Sequence, residues 1–131
     1  MDLPPLLVVD AANVIGSRPD GWWRDRAGAV ARLRDELAGV AAGGLAELPP
    51  PVEVVLVTEG RARGVPAVPG VRVVPAAGSG DDALVTVVAA EPDGRRMLVV
   101  TADRELRGRV AVLGARVEGP GWLRRALVTG R

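Results

Sequence analysis

Four stretches of the chain are apolar at almost every position: LLVVD (6–10), VEVVLVT (52–58), VRVVP (71–75) and MLVVT (97–101). Short runs that are continuous rather than alternating, and rich in valine, predict strands buried on both faces of a parallel sheet. A shorter run, ARVEG (115–119), predicts a fifth strand. Between the runs the period changes. In WRDRAGAVARLRDELAGV (23–40), Val30, Leu33, Leu37 and Val40 recur at three- and four-residue spacing on one helical stripe, and the glycine pair at 43–44 ends it. DDALVTVVAAE (81–91) opens with acids suited to a helix N-terminus and stops before Pro92. DRELRGRVAVLG (103–114) repeats that design, with Asp103 as N-cap and Gly114 as the stop, and GPGWLRRAL (119–127) reads as a short closing helix with its proline near the start. Strands alternating with helices predict an α/β fold: a three-layer α/β/α sandwich around a mainly parallel sheet of four to five strands. The loops ELPPP (47–51) and RARGVPAVPG (61–70) are turn punctuation, because the apolar pattern resumes on both sides, so residues 1–131 read as a single domain.

Composition narrows the chemistry. The chain has no cysteine and no histidine, which removes thiolate nucleophiles, the usual zinc sites, catalytic triads and imidazole acid/base work. Carboxylates, hydroxyls, asparagine, arginine and an oxygen-liganded metal remain. All 17 basic residues are arginine and the net charge is +1, so any polyanion site has to be a local patch. With 48% hydrophobic and 25% charged residues the composition is that of a soluble globular domain. No apolar run reaches the ~18 residues of a membrane span, and MDLPP lacks the pattern of a signal peptide, so the expected location is the cytoplasm.

The acids fall in a pattern on this frame. Asp10 ends the first strand, Glu59 follows the second, Asp81 and Asp82 open the helix after the third, and Asp103 opens the helix after the fourth. In an open parallel sheet these positions share the carboxyl edge, where such folds bind ligands. Each acid has another reading by itself: Asp10 and Asp103 as caps, Asp81 and Asp82 as helix-dipole residues, Glu59 as a partner of Arg61 or Arg63. Jointly they are expected to form a crevice of carboxylates that repel one another unless Mg²⁺ or Mn²⁺ is present. Asn13, three residues after Asp10, is then placed to orient a water or a phosphate oxygen. GSRPDGWWRDR (16–26) adds Arg18, Trp22, Trp23, Arg24 and Arg26, indoles beside guanidinium groups that suit stacking of bases and holding of phosphates. The competing reading makes one tryptophan a staple for the next helix and the arginines its solvated face. Arg61 and Arg63 are further candidates for phosphate contact, and Ser79, ahead of the acidic pair, for substrate contact.

Those residues resemble a known family. VVDAANVIG is similar to the D-x-x-N-x-I opening of the NYN domains, a branch of the PIN-like nucleases, and in particular of their YacP-like group. GDDALVTVVAA and LVVTADRELRGRV with LGARV resemble that group's second and third acidic motifs, in the same order and on the same elements, so the resemblance runs over residues 5–127. It implies a PIN-like sandwich and a metal-dependent endoribonuclease that hydrolyses RNA phosphodiester bonds with Mg²⁺ or Mn²⁺. Asp10, Asn13, one or both of Asp81 and Asp82, and Asp103 occupy its motif positions as catalytic residues. The four aspartates, with Glu59 as a further candidate, would be metal ligands, and Thr101 precedes the last of them as in related domains. Two departures stand out: DAAN replaces the common glycine and aromatic of the first motif, and TEG stands where an Asp-containing turn is common. DALV favours Asp82 while the wider NYN spacing admits Asp81, so that choice stays open.

Two other functional classes compete. A decayed site that binds RNA or protein without turnover would fit the altered first motif and the modest charge. A phosphatase or nucleotide pyrophosphohydrolase would also use acids at strand ends. The haloacid dehalogenase kind, however, needs a second Asp two residues after the first, where this chain has Ala12, and a receiver domain needs a lysine. AAGSGDDA is not the G-x-G-x-x-G of a dinucleotide site. The sequence leaves the oligomeric state open; an apolar patch around Trp22, Trp23 or Trp122 would serve a homodimer.

Overall fold

The first strand, Leu6–Asp10 (β1), lies at the centre of the sheet with every residue buried. The computed structural model describes residues 3–129, so the first two and last two residues of the expected domain lie outside the description. Four strands join β1: Glu53–Thr58 (β2), Arg72–Pro75 (β3), Met97–Val100 (β4) and Arg116–Glu118 (β5). All neighbours pair in parallel, in the order β3-β2-β1-β4-β5. The fold is an α/β sandwich with a five-stranded parallel sheet, as the apolar runs predict.

Helices cover both faces. On one side lie Ala11–Gly16 (α1), Arg26–Leu37 (α2), Val40–Gly43 (α3) and Pro120–Thr129 (α6). Here Leu7, Val9, Leu56 and Val100 of the sheet pack with Val30, Leu33, Leu37 and Leu123. On the other side Gly80–Ala89 (α4) and Arg104–Val112 (α5) set Leu84, Val88, Leu106 and Val110 against Leu6, Val8, Val57 and Val99. The odd and even residues of β1 thus feed two separate cores, which is why the strand is apolar throughout. The glycines that stop α3 and α5, Gly44 and Gly114, have φ of 78° and 94°, positive values that glycine adopts without the steric cost of a Cβ.

Two details differ from the sequence pattern, at α1 and at β3. A helix, α1, occupies residues beyond Asp10 where no helix is expected, because its single apolar turn, Ala11, Val14 and Ile15, is too short to show a period. The β2–β3 connection is the loop that its proline and glycine content predicts, although a parallel pair is usually joined through a helix. Pro66, Pro69, Gly64 and Gly70 hold that connection to a single 3₁₀ turn, Gly60–Ala62, and a short bridge at Val68 and Val71. As a result β3 is an edge strand with Arg72 and Pro75 exposed, not a strand buried on both faces.

Candidate active site at the carboxyl edge

The sheet order reverses between β1 and β4: the chain leaves β1 toward β2 and later returns to β1's other side. Ligand crevices form outside the carboxyl ends of strands at such a point. The pleat then decides which side chains meet there. Leu6, Val8 and Asp10 alternate with Leu7 and Val9, so Asp10 faces α4 and α5. Val55 and Val57 place Glu59 on that face by the same alternation, and Met97 and Val99 place Thr101 there. Val9 pairs with Val100 and Asp10 with Val57, so Thr101 comes level with Asp10, and Glu59 lies one pleat beyond it. Thr58, of opposite parity, is turned to the other face.

Hydrogen bonds hold this group rigidly. The buried Thr101 hydroxyl donates to Asp10 Oδ2 at 2.9 Å and accepts the Asp103 backbone N–H at 3.1 Å. Asp10 Oδ1 accepts the N–H of Asn13 at 3.4 Å and caps α1. The Asn13 side-chain oxygen accepts the N–H of Ala102 at 2.8 Å, tying α1 to the loop that leads into α5. Asp103 Oδ1 caps α5 by accepting the N–H of Leu106 at 2.9 Å. Glu59 Oε2 accepts the N–H of Gly80 at 3.1 Å and so caps α4 from another element. Ser79 stands at the N-cap position of α4 but is exposed and makes no capping bond with its side chain. Capping and clustering are therefore compatible: Asp10 and Asp103 do both.

Negative charge accumulates around Asp10, where only acids are among the charged groups that shift it. Asp10 is only 6% exposed. Burial pushes its carboxyl up to about 6, against the pull of the Thr101 hydroxyl and the Asn13 N–H, and the charges of Asp81 and Glu59 add to the push. Asp81 is also raised, first by burial and then by Asp103 and Glu59, with Arg109 opposing. These couplings bring Asp10, Glu59, Asp81 and Asp103 into one electrostatic group. Asp82 is turned away: its side chain is 86% exposed and pairs with Arg109 at 3.1 Å.

The arginine and tryptophan candidates divide. Arg18 leaves the group, pairing with Glu36 at 3.4 Å. Arg61 and Arg63 are exposed, and Arg63 donates to the carbonyl of Gly60 instead of pairing with Glu59. Trp22 is half-buried and packs against the core, while Trp23 is 55% exposed and meets it edge to face at 6.0 Å. Arg24 lies 5.9 Å from the Trp23 ring centre and Arg26 lies 5.3 Å from that of Trp22. Trp22 packs on the core as the staple reading expects, and it carries the Arg26 guanidinium on its ring. Sequence reasoning did not single out Arg109, whose relation to Asp81 and Asp82 depends on the packing of α5 on α4; its place in the last turn of α5 is the only local signal.

The donor set suits Mg²⁺ or Mn²⁺: all-oxygen, anionic and short of positive charge. Among the described residues, no three carboxylates stand close enough to ligate one ion together. That fits a hard cation held by one or two carboxylates, with water and substrate oxygens completing its shell.

No family model matches the chain, and no curated protein matches it. The five-stranded parallel α/β sandwich matches a PIN-like or Rossmann-like architecture, and among solved structures it is similar to that of YacP. Two crystal structures of Rae1 (YacP) from Bacillus subtilis superpose on it. One has a TM-score of 0.75 at 19% identity, covering 99% of this chain and 75% of that one. The other, a point mutant, has a TM-score of 0.76 at 18% identity, covering 99% and 77%. No described helix is long and apolar enough to cross a membrane.

Proposed function

We propose that this protein is a metal-dependent endoribonuclease that cuts RNA at the carboxyl edge of its sheet. The observation that carries this reading is the arrangement of Asp10, Glu59, Asp81 and Asp103. Four carboxylates from separate segments converge at the topological switch point, with Asp10 buried and no cation among the groups that fix it. Such an arrangement destabilises the fold unless a bound cation offsets it. One or two of Asp10, Asp81 and Asp103 would hold Mg²⁺ or Mn²⁺, with water and substrate oxygens completing the shell. When bound there, such an ion would lower the pKa of a coordinated water and offset charge on the phosphate. Thr101 fixes the Asp10 carboxylate and the start of α5 relative to each other. Asn13 joins α1 to the same loop, and its amide NH₂ is the group for orienting the water or a phosphate oxygen. Arg24, Arg26, Arg61 and Arg63 supply the local positive patch that a net charge of +1 cannot supply globally.

The test pairs binding with turnover. Mn²⁺ binding is measured by calorimetry, and cleavage of single-stranded RNA is followed with Mn²⁺ or Mg²⁺, on the wild type and on Asp10→Asn. Metal uptake and cleavage that are both lost in the variant support the reading. Cleavage that persists in the variant would place the reaction elsewhere. RNA binding without turnover in the wild type would favour the decayed, binding-only class.

A further inference from the structure

Next to the acids lies a cleft of about 240 Å³, lined by Ala12, Ile15, Trp22, Arg26, Glu59 and Gly60 among others. Its volume falls below the roughly 300 Å³ at which pockets for drug-sized ligands begin, which leaves room for a single planar heterocycle. Apolar groups from α1 and α2 line it beside an indole, and the Arg26 guanidinium lies 5.3 Å from the centre of that ring. A carboxylate, Glu59, lines it too. The carboxylate is fixed, because Oε2 accepts the Gly80 N–H at 3.1 Å, and it belongs to the acidic group around Asp10. A ligand in this cleft therefore sits against the residue that joins it to the proposed reaction centre.

We propose that this cleft is a nucleobase subsite that seats one unpaired base of the RNA strand beside the bond to be cut. Trp22 is the stacking surface, Arg26 holds the flanking phosphate, and Glu59 reads the base edge. The subsite rests on the ribonuclease reading for the presence of a strand here. Its preference follows from hydrogen-bond chemistry. An ionised carboxylate only accepts, so it pairs with the amino groups of cytosine, adenine or guanine. In uracil the one N–H of the pairing edge is flanked by two carbonyl oxygens that the carboxylate repels. The site therefore selects an amino-bearing base over uracil.

The four nucleoside monophosphates serve as probes, independently of cleavage, by titration against tryptophan fluorescence and chemical shifts of the wild-type protein. CMP, AMP and GMP should bind more tightly than UMP. Trp22→Leu should weaken them by at least about fivefold, the low end of what a base–aromatic stack contributes. Glu59→Gln, whose amide offers both a donor and an acceptor, should bring UMP level with CMP. Because Trp22 also packs on the core, Arg26→Gln is a second probe at an exposed position. It should raise KM for RNA with kcat little changed, and its melting temperature should match the wild type. Trp22-dependent nucleotide binding in a protein that cuts no RNA would support the subsite while removing the ribonuclease reading. RNA cleavage with a KM indifferent to both Trp22→Leu and Arg26→Gln would overturn the subsite and leave the ribonuclease reading standing. Equal binding of UMP and CMP by the wild type would overturn the assignment of Glu59.

Discussion

At the amino ends of the strands, Arg95 has a side chain only 4% exposed and donates to Glu53 at 2.8 Å and to Glu91 at 2.6 Å. Its Nε and one terminal nitrogen also donate to the Pro4 carbonyl, at 3.1 and 2.9 Å. One cation thus ties the starts of β1 and β2 and the end of α4 together. At the carboxyl ends the burial is similar, but Asp10 has only acids as charged neighbours among the groups that shift it. Where charge is matched, each hydrogen-bonding atom has a partner and the arrangement adds stability. Where it is unmatched, the fold gives up stability to keep negative charge concentrated, which is the arrangement that perturbed groups at functional sites commonly show. The contrast separates a structural pin from a candidate binding site more clearly than counting charges does, since both ends contain several.

Neutralising each end separately is the strongest way to test that contrast. Asp10→Asn should lower RNA cleavage by a hundredfold or more, since the metal-assisted step is assigned several kcal/mol. Its thermal stability without metal should stay level or rise, because an amide replaces a buried, repelled carboxylate. Arg95→Met should do the reverse. It leaves Glu53 and Glu91 without a partner and should cost about 3 kcal/mol, toward the low end for breaking a buried pair because Glu53 is 38% exposed. Urea denaturation and cleavage assays at a temperature where both proteins are folded separate the two effects. A destabilised Asp10→Asn together with an indifferent Arg95→Met would reverse the assignment of the two ends.

A pH series sharpens the same point. The Asp10 carboxyl has an ordinary value of 3.8 and is pushed up to about 6 in the fold. Between those values the native state holds a proton that the unfolded state has lost, so stability should fall as pH rises from about 4 to about 6 and level off above. The full difference sets a ceiling of about 3 kcal/mol on this loss. Asp10→Asn should flatten that part of the curve, and saturating Mn²⁺ should restore stability at pH 7. A wild-type curve that superposes on the Asp10→Asn curve from pH 4 to 7 would mean that Asp10 is not held as described. Thr101→Val should act in the opposite direction to Asp10→Asn, lowering stability by about 1–2 kcal/mol, because it removes a donor to Asp10 and an acceptor for the Asp103 N–H. It should also move the fall in stability to higher pH.

The parts of this architecture that depend on local chemistry are legible in the sequence. The apolar runs give the strands, and the glycines and caps give the helix ends. Because side-chain parity within a strand is fixed, the run to Asp10 and the run to Thr101 already imply a shared face once their register is known. What the sequence does not contain is that register, and with it the choice among neighbouring acids. Glu59 looks like a surface residue next to Arg61 and Arg63, yet its partner is a backbone N–H 21 residues away. Helix α1 is missed because one turn shows no period. The pin at Arg95 is missed because Pro4, Glu53 and Glu91 come together only when the sheet forms.

The smallest predicted effect concerns a pair of adjacent residues that sequence alone cannot rank. Asp81 and Asp82 both open α4, but one helical position is a rotation of about 100°, enough to separate a side chain facing the crevice from one facing solvent. Asp81 is raised by burial and by Asp103 and Glu59; Asp82 is 86% exposed and paired with Arg109, which is itself 40% exposed. Exposed pairs of that kind contribute about 0–1 kcal/mol. Asp82→Asn should therefore leave cleavage within about twofold and stability within about 0.5 kcal/mol, while Asp81→Asn should resemble Asp10→Asn in activity. Equal losses from the two substitutions would mean that both carboxylates reach the reaction centre and that the outward orientation of Asp82 changes when RNA binds. A loss confined to Asp82→Asn would shift the proposed metal ligand from the first acid of the pair to the second.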